Sequence, residues 1–443
     1  MQKEVKKIAQ TVKQHKTPAV TVVLPDQALA EMVYDPASKQ TAFVLWRGNE
    51  WTIEATLEAG PDKHFVPYSA ENNLIQNEVV LFPSQPQEYP SEQQLVGEIQ
   101  AFIHRYVDVS LLFEKIASYY VLFSWVYDSF NELPYLRLRG DPGSGKTRFL
   151  LTVGSLCYKP IFASGASTVS PLFRIIETFR GTLIIDEGDF RLSDEQAEIV
   201  KILNNGNARG FPVLRSEVTP KREFNPTAYT VFGPKLVATR GLFEDRALES
   251  RCLTEYMGQQ RLRDDVPINL PASHKQEALQ IRNQLLLFRL RNFHKRVALE
   301  SLVDRTIEPR LNQVFVPLLS IIDDVKAQDE IKELARKYHR ELVADRSQDT
   351  EAQVLEIIRD MIEAGEQRLS VKDITNWFAD RHGDDFERKI TSKWIGNIIR
   401  KKLSLKTQKS HGVFVIPPSE EPKLARLYEK YGIGAKEVDE PAL

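Results

Sequence analysis

The chain has little cysteine: two residues in 443, Cys157 and Cys252. That excludes a disulfide framework, leaves too few thiolates for a structural metal site and fits a reducing compartment. Histidine is sparse as well, eight residues scattered without ligand spacing, so no zinc site is expected. No apolar run approaches the roughly 20 residues of a membrane span, so no membrane association and a cytoplasmic location are expected. Net charge is nearly absent: 59 Lys and Arg against 61 Asp and Glu leave −2. Overall charge therefore names no partner, and a polyanion site has to come from local clustering. Hydrophobic residues at 42% and charged residues at 27% are ordinary globular composition, and 443 residues leave room for about three domains.

What is present is ordered along the chain. The β-like runs AVTVVL, TAFVLW and WTIEATL, parted by turn clusters, predict a small β-rich module over 1–90, closed by the Pro-rich stretch FPSQPQEYP that reads as a linker. Helical periodicity follows over 91–130, with Leu95, Ile99, Phe102, Ile103 and Tyr106 on one face. Short β-rich runs at Tyr135–Arg139, 160–163, 182–186, Lys235–Thr239 and 252–257 then alternate with helical segments. That alternation predicts an α/β fold, a parallel sheet with helices on both faces, over 91–260 with its leading helices. A helical segment over 261–346, a further small domain over 347–420 and a tail over 421–443 complete the chain.

Gly140, Asp141, Pro142, Gly143, Ser144, Gly145, Lys146 and Thr147 match the P-loop pattern G-x-x-x-x-G-K-[ST], between the apolar strand YLRLR and the helical run TRFLLTVGSL. Glycines let backbone N–H groups wrap a polyphosphate, and the helix start adds a favourable dipole. Lys146 is expected to reach the terminal phosphates of ATP and Thr147 to ligate Mg2+. Forty residues beyond Lys146, the apolar run TLII ends in Asp186 and Glu187. Two adjacent carboxylates aimed differently suit two tasks, Asp186 holding the magnesium shell and Glu187 polarising the attacking water.

This spacing resembles the AAA+ branch of P-loop ATPases, and residues 133–322 resemble the AAA+ domain of MCM-like ring helicases and replication ATPases of phages and mobile elements. The resemblance makes 261–346 a helical lid. KLVATR at 235–240 is similar to the family's sensor 1 strand, with Arg240 in place of the usual asparagine and Thr239 beside it, so either is a candidate sensor. DRALESRCL at 245–253 is similar to the segment whose arginine enters the neighbouring subunit's site as a finger; Arg251 matches best, with Arg246 as the alternative. Arg310, in EPRLN, resembles the sensor 2 arginine of the lid, with a solvated role as the alternative.

Two elements are expected to touch nucleic acid. Residues 211–232 read as a hairpin with Lys221 and Arg222 at its tip. In the resembling family a hairpin at this place projects into the central pore and grips a DNA strand, for which positive charge suffices. The C-terminal domain reads as a winged helix: an apolar helix from Thr350, a second capped by Ser370, a third opened by Thr391, then the wing-like KTQKSHGVFVIP. Between 388 and 411 stand eight Lys or Arg and no Asp or Glu, a footprint for duplex DNA or, alternatively, a solvated face of a protein-binding module. Lys393, Asn397, Arg400, Lys401, Lys406 and Lys409 are the candidate contacts, while Trp394, Ile395, Ile398 and Ile399 are expected in the core, as is Trp377. The residues thus predict ATP hydrolysis and DNA contact. The resemblance implies a homo-hexameric ring acting as a DNA helicase or translocase in replication of a mobile element. An initiator or loader switched by ATP, and a regulatory or defence ATPase, remain as alternatives.

Overall fold

The computed structural model describes residues 15–60, 63–164, 169–186, 194–218, 224–243, 245–259, 261–386 and 390–434, and the chain divides into two compact units, 1–333 and 334–443. Among its described residues the first unit begins with seven strands: β1 (His15–Ala19), β2 (Thr21–Val23), β3 (Leu29–Asp35), β4 (Gln40–Arg47), β5 (Glu50–Glu54), β6 (Leu57–Glu58) and β7 (Lys63–Pro67). β2 to β5 form an antiparallel meander, and β1, β7 and β6 a second small sheet. β3 is not among the runs legible in the sequence. Its first five residues, LAEMV, are all buried, so it is covered on both faces and carries no alternation to read.

The β-rich segment is packed into the same core as the central sheet. Val20, Ala30, Met32 and Phe43 share one core cluster with Leu172, Phe173, Ile176 and Leu183. Fully buried Glu31 on β3 accepts from Arg289 Nε at 2.6 Å and pairs with Lys159 Nζ at 2.9 Å, while Arg289 Nη2 reaches Asp128 Oδ2 at 2.7 Å. Tyr158 donates its hydroxyl to Glu31 Oε1 at 2.8 Å. Burial alone would raise the Glu31 carboxyl, but the two cations outweigh it and hold it below its ordinary value. Burial pushes Lys159 down to about 8. The Pro-rich stretch is packed rather than free: Phe82 is buried, the Ser84 N–H donates to Asn283 Oδ1 at 2.9 Å and the Gln87 N–H to Asn283 O at 3.1 Å. The linker reading is therefore corrected. Proline removed the regular ladder, and contacts with the helix Ser273–Asn292 took its place.

Two helices, Glu92–Tyr106 and Leu111–Ser124, begin at Ser91 and Ser110, whose side chains accept the Gln94 and Phe113 N–H groups. The second is buried along nearly its whole length and backs the central sheet through Tyr120, whose hydroxyl contacts Pro134 O and Lys235 O. That sheet is built from β8 (Tyr135–Arg139), β9 (Ile161–Ser164), β10 (Leu183–Asp186), β13 (Lys235–Thr239) and β14 (Cys252–Tyr256), all parallel, in the order β14-β8-β13-β10-β9. These are the five runs read from the sequence. β11 (Val213–Val218) and β12 (Phe224–Tyr229) form a separate antiparallel hairpin. The buried LIID and KLVAT strands are apolar on both faces, as a sheet covered on both sides requires. A five-stranded parallel sheet of this kind fits a P-loop core.

In the second unit the helices Thr350–Glu363, Val371–His382 and Ser392–Asn397 enclose Val354, Leu355, Ile358, Ile374, Phe378, Ile395 and Ile399. Ser370 and Thr391 cap the second and third by accepting the Asp373 and Trp394 N–H groups. Trp377 and Trp394 are half-buried against this core. A hairpin of β15 (Gln408–Ser410) and β16 (Val413–Val415) comes next, joined to the start of the second helix by a bridge between Ser370 and Val415. The region expected as a tail instead starts with a helix, Glu421–Tyr431, whose Leu424 and Tyr431 enter the same core. Among the described residues no helix is long and apolar enough to cross a membrane.

Candidate nucleotide site and nucleic-acid surfaces

β8 leaves the sheet at Arg139 and turns through the glycine-rich loop into the helix Lys146–Gly154. Gly145 stands before that helix with φ of 94°, in the left-handed region where a side chain is strained, and a Cβ on Gly140 would lie 2.5 Å from Met257 O. Lys146 Nζ lies inside the loop, donating to Gly140 O at 2.6 Å and Asp141 O at 2.8 Å. Thr147 Oγ1 donates to Asp186 Oδ2 at 2.7 Å, so residues 39 positions apart meet at the carboxyl end of the sheet. Hydroxyl and carboxylate oxygens side by side are the hard donors that magnesium prefers, and the pair fits the ion that the motif implies. Glu187 lies outside the described residues.

β13 runs between β8 and β10, which puts Thr239 beside the P-loop: the Gly140 N–H donates to Thr239 O at 3.3 Å, and Thr239 Oγ1 donates to Gly241 O at 3.0 Å. Thr239 is buried with its hydroxyl satisfied locally, whereas the neighbouring Arg240 is exposed. Sequence reasoning missed the segment after β14. Met257 donates its N–H to Arg139 O at 2.7 Å and packs over the loop, and Arg148 donates to Pro267 O and Ile268 O. No motif marks these contacts; they arise because β14 is the neighbour of β8.

Arg251 and Arg310 are not brought to this loop. Arg251 immediately precedes β14, whose first residue pairs with Tyr135, so it stands at the opposite end of the sheet from Gly140. Six residue steps of a strand separate the two ends, about 20 Å. Arg251 Nη1 donates to Asn204 Oδ1, and Asn204 Nδ2 donates to Asp245 Oδ2 at 2.6 Å. Arg310 Nη2 donates to Ala247 O at 2.9 Å beside them. The placement of Arg310 thus differs from a sensor in the chain's own nucleotide site, because the helix Pro309–Leu319 starts against the segment that leads to Arg251. Burial and the neighbouring Arg310 both push the Arg251 guanidinium below its ordinary pKa. The Nε of each arginine is buried without an acceptor among the described residues. Arg246 is exposed on the short helix Arg246–Glu249.

A residue without a motif holds this end together. Arg137, buried within β8, makes a two-pronged pair with Glu249, with Nη1 to Oε2 at 2.5 Å, and donates Nε to Thr254 Oγ1 at 3.0 Å. The signal was available as an arginine at the middle of an otherwise apolar buried strand, which needs a carboxylate partner. Lys235, the first residue of β13, is buried and donates Nζ to Gly233 O at 2.8 Å, Val231 O at 3.0 Å and Gly206 O at 3.3 Å, tying the base of the hairpin to the end of the helix Asp194–Asn205.

The β11–β12 hairpin matches the expected arms, and its tip with Lys221 and Arg222 lies outside the described residues. In the second unit Lys393, Arg400, Lys401, Lys406 and Lys409 are exposed and Asn397 is half-buried. Lys402, also exposed, approaches Glu351 at 3.6 Å. Ile395, Ile398 and Ile399 are buried, as their spacing required.

No protein-family model matches the chain, and no curated protein matches it. Among solved structures it is similar to the apo C-terminal region of NrS-1, at 12% identity and a TM-score of 0.36, covering 87% of this chain and 96% of that one. It is also similar to an active helicase, SCCmec type IV Cch, at 11% identity and a TM-score of 0.35, covering 92% and 99%. A full-length MCM homolog from Methanopyrus kandleri matches at 12% identity and a TM-score of 0.34, covering 68% of this chain and 73% of that chain. At such identities and TM-scores the likeness to these structures carries no residue across, and the functional reading stands on this chain's own side chains.

Proposed function

We propose that the chain is an ATP-hydrolysing AAA+ motor that forms a homo-hexameric ring and moves on or unwinds DNA in the replication of a mobile element. The observation that carries the reading is the meeting of Thr147 and Asp186 at 2.7 Å beside a P-loop whose Lys146 is already turned inward. Bound Mg-ATP supplies the phosphoanhydride and the ion that shields its charge. Backbone N–H groups of residues 143–147 and Lys146 hold the phosphates, Thr147 and Asp186 orient the ion, and Glu187 accepts a proton from the attacking water.

Arg251 and Arg310 stand about 20 Å away along the sheet, with unsatisfied Nε donors and like charge side by side, which supports their serving the nucleotide of an adjacent copy. That role makes the ring part of the catalytic design rather than an accessory. Through Lys235, the same cluster is tied to the base of the hairpin whose tip carries Lys221 and Arg222, a route by which hydrolysis could move a strand-gripping element. The second unit, read as a winged helix with its wing at β15–β16, adds duplex affinity through its exposed lysines. Lys146→Ala and Glu187→Gln should both abolish turnover, with the glutamine variant still binding nucleotide; normal turnover in either variant would overturn the assignment.

A further inference from the structure

On the winged-helix unit one large apolar side chain stands where the basic residues are. Phe414, in β16, is 50% exposed, while its strand neighbour Val415 points to the opposite face and is buried. Directly across the ladder from Phe414 is Lys409, also exposed, and the Arg400 guanidinium lies over the Phe414 ring at 5.6 Å from its centroid. Arg400 is itself seated by Gly396. A Cβ there would lie 3.0 to 3.3 Å from the guanidinium, so the bare position makes room for it. Glycine inside a helix is unfavourable relative to alanine, and the space it leaves is taken by the Arg400 guanidinium on one side of the Phe414 ring.

The hairpin is fixed from below. Arg368 donates to Ser410 O, the Ile416 N–H donates to Leu369 O at 3.0 Å, and Ser370 bridges Val415. Phe414 is therefore a ring on a rigid arm, flanked by Arg400 and Lys409. An aromatic face framed by cations is what unpaired nucleic acid recognises, because each base has a face to stack and each nucleotide brings a phosphate. A paired base inside a duplex offers no such face.

We propose that Phe414, with Arg400 and Lys409, forms a stacking platform for an unpaired base, so that the second unit recognises a junction or single-stranded end rather than plain duplex. The proposal rests on the reading of this unit as a nucleic-acid module and specifies its substrate. The test uses the full chain without nucleotide and two probes: a blunt DNA duplex, and the same duplex with a short single-stranded overhang carrying 2-aminopurine, whose fluorescence falls when it stacks.

The intact protein should prefer the overhang probe by about 5- to 150-fold, the worth of stacking one base, and quench its fluorescence. Phe414→Ala should lose both the preference and the quench while binding blunt duplex as before, and Phe414→Trp should retain them. An unchanged overhang preference in Phe414→Ala, or an equal loss on both probes, would overturn the platform. The paired variant Lys393→Ala with Lys401→Ala should weaken both probes together. If it leaves both unchanged, the basic face is not the nucleic-acid site, and the platform falls with the reading on which it rests.

Discussion

If Arg251 serves an adjacent copy, two dead proteins should make a live one. Arg251→Ala removes the finger, and Glu187→Gln removes the water-activating carboxylate; each alone should be inactive. A productive interface needs a subunit with an intact glutamate next to a subunit with an intact finger. In a ring assembled at random from equal amounts, about one interface in four meets that condition. The mixture should therefore recover about a quarter of wild-type turnover, and titrating the ratio should trace a curve that peaks at equal amounts and vanishes at both ends. The separation of about 20 Å between Arg251 and its own P-loop is what excludes service within one chain. The assay is steady-state phosphate release after co-refolding or prolonged exchange, with nucleotide binding checked for each variant. Zero recovery at every ratio, with mixed assembly demonstrated, would refute the reasoning, as would normal turnover by Arg251→Ala.

Arg289→Met removes the cation shared by Glu31 and Asp128 and leaves Glu31 with Lys159 alone, so the loss should approach but not exceed the about 3–5 kcal/mol of a buried charge stripped of its partner, read as a shift of the denaturant midpoint. A loss below about 1 kcal/mol would mean that the network is solvated. Burial, with Arg251 behind it, pushes Lys235 from its ordinary 10.5 down to about 7, so between those values the folded state binds fewer protons than the unfolded one. Its contribution is least favourable below pH 7 and improves as pH rises. Wild type should accordingly gain stability relative to Lys235→Met from pH 7 upward, by at most about 1.4 kcal/mol per pH unit; a flat difference would mean that the three carbonyls keep Lys235 charged throughout.

The signals legible in this sequence are the local ones. Five strands declare themselves by β-branched and apolar runs, the P-loop by its spacing, and the second and third helices of the second unit by Ser370 and Thr391 at their caps. Order within the sheet is another matter. That β13 inserts between β8 and β10 depends on pairing between segments about 50 to 100 residues apart, and no periodicity encodes it. The same applies to Arg310, whose place beside Ala247 is set by how the helix Pro309–Leu319 docks. Glu31 and Arg137 look like polar residues in apolar strands, and only the fold supplies the partners, Arg289 and Glu249, that make their burial possible. The prolines of 82–90 mark irregular backbone correctly but say nothing of Asn283, which holds it.

On the proposed reading, ATP hydrolysis at the P-loop drives strand separation. The measurement that meets it most directly is unwinding of a forked duplex by the purified protein, followed together with phosphate release, for wild type and for Lys221→Ala with Arg222→Ala. Wild type should unwind the fork and stop without ATP, and the hairpin variant should hydrolyse ATP without separating strands. Robust hydrolysis and DNA binding with no unwinding by the wild-type protein would contradict it and favour a loader that uses ATP as a switch.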